Sequence, residues 1–229
     1  CPVCYQGFKA KTVRSGKLRS LGTDRDLRPL YDQMEPLKYD VVICPHCGYA
    51  ALTRFFGGLT AGQIKAIKEN ISANFHPVKE EKEIYTYEEA LYRYKLCLAN
   101  TIVKHGKVSE KAYICLKAGW LLRSMGENLD PAVEDYNKKM QEIKEQEKDF
   151  LKNALDGLIT ARQTESYPIC GMDEVTLEYL IAVLAMEFEK YDISSRLIYN
   201  ILNTPTVNNR IKDKAREVKD ELLQQMGKK

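Results

Sequence analysis

The pattern of apolar and polar residues changes near residue 58. Before that point the apolar residues come in short runs that favour strands. Tyr39–Ile43 is rich in β-branched side chains, and Lys9–Leu21 has the form of a hairpin with a tight turn at Ser15-Gly16. Further along, apolar residues recur at spacings of three and four, the period of an amphipathic helix. The sequence therefore predicts a zinc-ribbon-like β module over residues 1–58 and an α-helical domain over residues 59–229.

Capping signals divide the helical domain into separate helices. Thr60 with Gln63, and Thr86 with Glu89, have the spacing of capping boxes, in which the two side chains satisfy exposed N–H groups at the start of a helix. Asp130-Pro131 has the form of an N-cap followed by a first-turn proline. The predicted helices start at or near Thr60, Thr86, Ser109, Asp130, Asp173, Ile193 and Asn208.

We expect these helices to pair into antiparallel hairpins. Residues 86–125 and 174–202 each have the form helix, short turn, helix, which loosely resembles the tetratricopeptide repeat (TPR). A long helix from Asp130 to about Arg162 separates the two pairs, and a polar linker at Lys79–Glu83 precedes the first. The predicted fold class is mainly α, with TPR-like antiparallel helical hairpins and a small N-terminal β zinc ribbon. Small side chains that allow a neighbouring helix to approach closely occur at Ala112, Ala118 and Gly119.

Two Cys-x-x-Cys turns, here called knuckles, carry the most specific chemistry in the chain. The first is Cys1-Pro2-Val3-Cys4 and the second is Cys44-Pro45-His46-Cys47. Two thiolate pairs complete a closed four-sulfur zinc site with no open position for water or substrate. The 39 residues between the pairs exceed the usual zinc-finger spacing, and a redox or disulfide use of the cysteines stays open. The sequence predicts structural Zn²⁺ bound by Cys1, Cys4, Cys44 and Cys47.

The charge is small in total but unevenly distributed. The chain carries a net charge of +3, whereas residues 1–30 hold seven basic side chains against Asp24 and Asp26, a local excess of +5. Such an excess can attract an anionic partner, although a solvated basic face is the commoner explanation and is favoured here. Asp24 and Asp26 could also bind a second metal ion, but ion pairs with neighbouring arginines are favoured. The candidate partners for those ion pairs are Arg14, Arg19 and Arg25.

Cysteine usage and hydropathy bear on the compartment. Of seven cysteines, four lie in metal-type pairs and three are scattered, which favours a reducing compartment over a disulfide framework. No apolar run approaches the ~18 residues that a membrane-spanning helix needs. We therefore expect a cytoplasmic protein without a membrane partner. Because the chain begins at Cys1 rather than at a methionine, we expect it to be a piece of a longer protein.

Three motifs and the helical pattern together resemble one bacterial family. The motifs are CPVC at residues 1–4, DRDLRPLY at residues 24–31 and PLKYDVVICPHCGYA at residues 36–50. With the TPR-like helices they are similar to the uncharacterised family catalogued as domain of unknown function 2225. The resemblance implies a cytoplasmic protein with a zinc-binding N-terminus and a helical, repeat-like body. It implies no reaction, and the four knuckle cysteines carry over directly.

The sequence favours a binding protein over an enzyme. No P-loop, GxGxxG, HExxH, GxSxG or EF-hand motif occurs. Cys170 precedes a predicted helix, whose N-terminus could lower the pKa of the thiol, but no base is paired with it. The leading hypothesis is a non-enzymatic scaffold that binds a protein or peptide. The 14 tyrosines suit an interface, although packing within a TPR-like core explains their number equally well. The alternative is nucleic-acid binding through the basic zinc ribbon; the oligomeric state stays open.

Overall fold

A computed structural model describes residues 1–14, 16, 18–32, 34–77 and 84–227. Its described residues form two small antiparallel sheets followed by seven α-helices, so the mainly α prediction with a small N-terminal β portion is confirmed. The strands are β1 (Ser20–Thr23), β2 (Pro29–Tyr31), β3 (Val41–Ile43) and β4 (Ala50–Leu52). The helices are α1 (Ala61–Asn70), α2 (Tyr87–Val103), α3 (Val108–Glu127), α4 (Tyr136–Thr164), α5 (Glu174–Glu187), α6 (Tyr191–Asn203) and α7 (Asn209–Met226).

Both predicted capping boxes are present. The Thr60 hydroxyl accepts from the Gln63 N–H at 3.3 Å, and the Gln63 side chain accepts from the Thr60 N–H at 3.0 Å. Thr86 and Glu89 exchange the corresponding bonds at 3.1 and 2.6 Å. Each box satisfies N–H groups that the first helical turn leaves without an acceptor, which fixes where α1 and α2 begin.

The predicted start of α4 at Asp130 is wrong, because the helix begins at Tyr136. The Asp130 carboxylate accepts from the Ala132 N–H at 2.9 Å, a local bond typical of a turn. Asp135 then adopts a left-handed backbone conformation with φ +57°, which a continuous right-handed helix excludes. The chain therefore makes a turn before α4, which ends at Thr164.

The predicted hairpin within Lys9–Leu21 is also wrong. Of its turn and return strand, Ser15 and Lys17 lie outside the described residues, as does the predicted linker Lys79–Glu83. Among the described residues, the strand that begins at Ser20 pairs with β2 instead. The connection closes through the Asp24 N–H, which donates to the Arg28 carbonyl at 2.8 Å. A hairpin exists, but it is displaced towards the DRDLRPLY motif.

Consecutive helices of the body pack against one another, and α3 and α4 share the most extensive contact. A Cβ on Gly119 would lie 2.6 Å from a methyl carbon of Leu151, and a Cβ on Gly157 would lie 2.7 Å from that of Ala112. The glycines thus let the two helices approach more closely than larger residues allow, as predicted for Gly119. Residues 177–186 of α5 are all buried, as expected for a helix at the centre of the body. The likeness to tetratricopeptide hairpins stays a prediction.

The second sheet lies directly on α2. The guanidinium of Arg93 donates to the Val41 carbonyl at 3.1 Å, and the Tyr94 hydroxyl donates to the Leu37 carbonyl at 3.0 Å. Apolar side chains of β3 and β4 are buried in the same core as the helices. The division into domains at residues 58 and 59 stays a prediction, with one core extending across it.

A buried network of ion pairs holds the β1–β2 connection against α3. Arg28, only 3% exposed, donates to Asp24 at 2.5 Å and makes two bonds to Glu127 at 2.6 and 2.9 Å. Asp26, also 3% exposed, accepts from the Trp120 indole at 2.9 Å and from Arg123 at 2.8 Å. Asp24 and Asp26 are therefore engaged in internal ion pairs, as favoured from the sequence. Their partners are Arg28 and Arg123 rather than the candidates named above.

We expect Arg28→Leu to lower the free energy of unfolding by about 2 kcal/mol, because it leaves Asp24 and Glu127 without their shared cation. The estimate lies below the range for fully buried pairs because Glu127 is about half exposed. Urea denaturation followed by circular dichroism measures the change. Arg196→Leu, at an exposed arginine of α6, is the matched control and should alter stability by less than about 0.5 kcal/mol. Equal effects of the two substitutions would contradict a stabilising network.

Candidate metal centre

The second knuckle is the turn between β3 and β4. The Cys44 N–H donates to the Tyr49 carbonyl at 2.8 Å, and the Gly48 N–H donates to the Cys44 carbonyl at 3.0 Å. Gly48 has φ +71°, and a Cβ there would lie 2.5 Å from the ring of Phe75. Only glycine meets both demands, so this turn depends on its position after Cys47.

The first knuckle is a turn of the same kind at the start of the chain. The Tyr5 N–H donates to the Cys1 carbonyl at 3.0 Å, and Tyr5 adopts φ +61° where the second knuckle has glycine. Val3, between the two cysteines, is fully buried. Burial of this one apolar side chain helps to hold the first knuckle against the second.

The two knuckles bring four sulfur atoms together. Sγ of Cys1 lies 3.6 Å from Sγ of Cys47, and Sγ of Cys4 lies 3.6 Å from Sγ of Cys44. All four atoms lie within 4.8 Å of one another. A tetrahedral ion with metal–sulfur bonds of about 2.3 Å places its sulfurs about 3.8 Å apart, whereas a disulfide needs about 2.05 Å. The spacing fits four ligands around one metal ion, and all four cysteines are free thiols.

The sulfur cluster is surrounded by apolar side chains. Cys44 is fully buried, and Cys47 is 6% exposed. Ile67 of α1 belongs to the same buried group. The ring of Tyr49 packs 4.9 Å from that of Phe56, which Phe8 contacts at 5.9 Å. This surrounding covers Cys44 and Cys47, whereas Cys1 and Cys4 are half-buried. Because four sulfur atoms would fill every position of a tetrahedral ion, the geometry suits a structural site better than a catalytic one.

The pKa values of two knuckle thiols are shifted in opposite directions. Burial raises the pKa of Cys47 to about 12. At Cys4 burial raises the pKa, but hydrogen bonds with the Gln6 backbone and with the thiols of Cys44 and Cys47 together outweigh burial, so the pKa is lowered. A metal ion binds thiolates, so its binding must displace protons from the more buried sulfurs.

Other candidate ligands named from the sequence lie outside this cluster. His46 is exposed, as its place inside a knuckle suggested. Among the described residues, the four cysteines form the one group of three or more potential ligands close enough to share an ion. The acidic pair at Asp24 and Asp26 is held by arginines instead.

A residue of α2 that was not predicted from the sequence supports the second knuckle. Asn100, fully buried, donates from its amide to the Gly48 carbonyl at 3.1 Å and to the Leu96 carbonyl at 2.9 Å. An amide on the apolar face of a helix is the signal that could have revealed it, since buried polar side chains need partners.

The hypothesis that a helix N-terminus lowers the pKa of Cys170 is wrong. The helix α5 starts only at Glu174, and Asp173 already accepts from its first turn, from the Thr176 N–H at 2.8 Å. Burial raises the pKa of Cys170 to about 11, although its Sγ donates to the Ser109 carbonyl at 3.3 Å. Cys97 and Cys115 are buried as predicted, and burial raises their pKa values to about 12 and about 11.

Fold and site together define a mainly helical protein with an N-terminal four-cysteine cluster that can bind a metal ion. The family model described as "Uncharacterized protein conserved in bacteria (DUF2225)" matches residues 1–222, and the chain belongs to this family. No curated protein and no solved structure matches the chain. Among the described helices, none has the length and apolar character needed to cross a membrane.

We expect Cys170 to react with iodoacetamide at neutral pH more slowly than free cysteine. A pKa of about 11, two units above the ordinary value of 9.0, leaves about a hundredfold less reactive thiolate at neutral pH. Mass spectrometry of the native protein measures the labelling rate, and the same peptide after denaturation gives the control. Labelling as fast as that of free cysteine would contradict the expected loss of reactivity.

Proposed function

We propose that the chain is a non-enzymatic zinc-binding scaffold, in which Cys1, Cys4, Cys44 and Cys47 hold one structural Zn²⁺. The observation that carries the proposal is the mutual spacing of the four sulfur atoms, which fits a tetrahedral ion and is wider than a disulfide bond. Four thiolates in this arrangement are soft ligands that suit zinc among the common protein metals.

The structural role follows from where the ligands lie in the chain. Two of them belong to a terminal turn, and the other two belong to a strand connection held on α2 by Asn100. An ion bound to all four would join the terminal turn to the helical body. With every ligand position taken by sulfur, no position would remain for a substrate, so the metal would stabilise the fold rather than catalyse.

The scaffold part of the proposal concerns the helical surface. Tyr92 on α2 is 48% exposed and Tyr199 on α6 is 68% exposed, although both side chains have apolar bodies. Exposed tyrosines of this kind suit contacts with a protein or peptide. The free thiols fit a reducing compartment, and a cytoplasmic location is part of the proposal.

We expect the purified protein to contain about one zinc ion per chain, and Cys44→Ser to lose most of it, because three thiolates remain for an ion that needs four ligands. Inductively coupled plasma mass spectrometry after exhaustive dialysis measures the zinc content. The matched control is Cys170→Ser, which removes a thiol outside the cluster and should leave the zinc content unchanged.

Two results would contradict the zinc proposal. One is a wild-type protein that takes up no zinc after full reduction and incubation with the ion. The other is Cys44→Ser that keeps its zinc to the same extent as Cys170→Ser. A different metal bound with the same dependence on Cys44 would correct the identity of the ion and leave the site in place.

One contact favours nucleic-acid binding as a second candidate function. Tyr5, beside the first knuckle, is 75% exposed, and the Lys68 ammonium lies 5.9 Å from the centre of its ring. A base could stack on such a ring while the lysine faces a phosphate.

If the second candidate is correct, mixed single-stranded DNA and RNA should bind in a salt-sensitive manner, and Tyr5→Ala should weaken binding by about 1–3 kcal/mol. Fluorescence anisotropy with labelled oligonucleotide pools measures the affinity. Tyr199→Ala, at another exposed tyrosine on α6, serves as the control. Undetectable binding, or equal losses in the two variants, would rule out the stacking role of Tyr5.

A further inference from the structure

A cleft of about 560 Å³ lies between three separate parts of the chain. One wall is the segment at residues 54–59, which follows β4. The second is the turn between α2 and α3 at residues 104–110, and the third is the loop at residues 165–171. Because the walls come from distant parts of the sequence, no local motif could reveal the cleft.

The acidic groups of the cleft are already paired within the protein. Glu110 accepts from the Lys104 ammonium at 2.6 Å. The Glu165 carboxylate accepts from the Ser109 N–H at 2.9 Å and from its hydroxyl at 2.6 Å, so it also satisfies the start of α3. The charges of Lys104 and Glu110 offset each other, and the negative charge of Glu165 lies against the partial positive charge of a helix N-terminus.

Two cations of the cleft are different, because they have no acidic partner. Neither Arg54 nor Lys107 has a carboxylate within 4.0 Å in the part of the chain that the structure describes. Both side chains are exposed at the cleft. The charge left over after internal pairing is therefore positive.

Arg54 is also held in place. One of its guanidinium nitrogens donates to the Cys170 carbonyl at 2.7 Å, and its charge lies 5.8 Å from the ring centre of Tyr113. Gly171, with φ +80°, makes room for it, since a Cβ there would lie 2.5 Å from the second terminal nitrogen. A guanidinium has five N–H donors, and its other donors find no acceptor among the described residues.

We propose that this cleft binds a small organic anion through a phosphate or carboxylate group, with Arg54 and Lys107 as its direct contacts. A positioned guanidinium matches the oxygens of either group with parallel hydrogen bonds, and the lysine adds a second positive charge. Apolar surface of Phe55 and Leu59 lies within the same cleft and would contact the body of the ligand. The site goes beyond the proposed zinc scaffold, because its contacts include none of the cysteines of the metal centre.

Isothermal titration calorimetry of the zinc-containing chain tests the proposal, with inorganic phosphate and citrate as separate probes and sodium chloride holding the ionic strength constant. We expect saturable binding of at least one probe, and the comparison of the two identifies the anion class. Arg54→Gln and Lys107→Gln should each weaken binding about tenfold, the effect of losing one charged hydrogen bond. Arg196→Gln, at the exposed arginine on α6, is the matched control and should bind as the wild type does.

Lys107→Gln protects the test against misfolding, because the Lys107 side chain is exposed and makes no hydrogen bond or ion pair in the described part of the chain. Absence of saturable binding of both probes by the wild-type protein would overturn the proposal. Binding that survives unchanged in both Arg54→Gln and Lys107→Gln would overturn it as well. Weaker binding in these variants, with melting temperatures near that of the wild type, would support it.

Discussion

Two short turns that lie 40 residues apart in the chain meet so that their four sulfur atoms surround one point. The long interval between the two cysteine pairs is the main argument against a zinc site in the sequence. Its cost in loop-closure entropy is small. Loop-closure entropy grows only with the logarithm of loop length, so closing 40 residues rather than about a dozen costs about 1 kcal/mol more. A structural zinc ion contributes on the order of 10 kcal/mol, which outweighs this cost. The spacing is therefore compatible with a closed site.

The chain between the knuckles is itself held on the helical body. Arg28 and Asp26 are buried and contact α3 through Glu127, Trp120 and Arg123. Ion pairs of this kind often add little net stability, because desolvation offsets most of the Coulomb attraction. Here they fix the position of the segment on α3, since a guanidinium bonded to two carboxylates fits in one place only. A metal ion bound by the four cysteines would thus act on the same segment as this network, the ion through strong bonds and the network through directional contacts.

The features predicted correctly from the sequence are those that depend on interactions within one helix or at one contact. Capping boxes at Thr60 and Thr86, and the small residue Gly119, follow from the needs of one helix or one contact, and the structure contains them as expected. The same holds for the two knuckles, where cysteine spacing within each turn limits the chemistry to a few uses.

One error is local, and the other arises where distant parts of the chain decide the outcome. Asp130-Pro131 has the residues of a helix start, but the left-handed turn at Asp135 delays α4. The partners of Asp24 and Asp26 were sought among nearby arginines, whereas Arg123 lies 97 residues away from Asp26. A network that joins a strand connection to a later helix produces no periodic pattern in either segment. It therefore could not be predicted from local sequence patterns.

The segment after β4 connects the metal centre to the cleft. Seven residues after Cys47 the chain reaches Arg54, through a strand pair whose end is fixed by the Thr53 N–H, which donates to the Asp40 carbonyl at 2.8 Å. The knuckle turn sets one end of that strand pair, and the Cys170 carbonyl holds the guanidinium at the other side of the cleft. An ion that orders the knuckle would therefore also order one wall of the cleft, although none of the cysteines that bind the ion would contact the anion. In this arrangement a structural metal would favour the proposed anion binding at a distance, by removing the freedom of a segment that would otherwise have to be ordered when the anion binds.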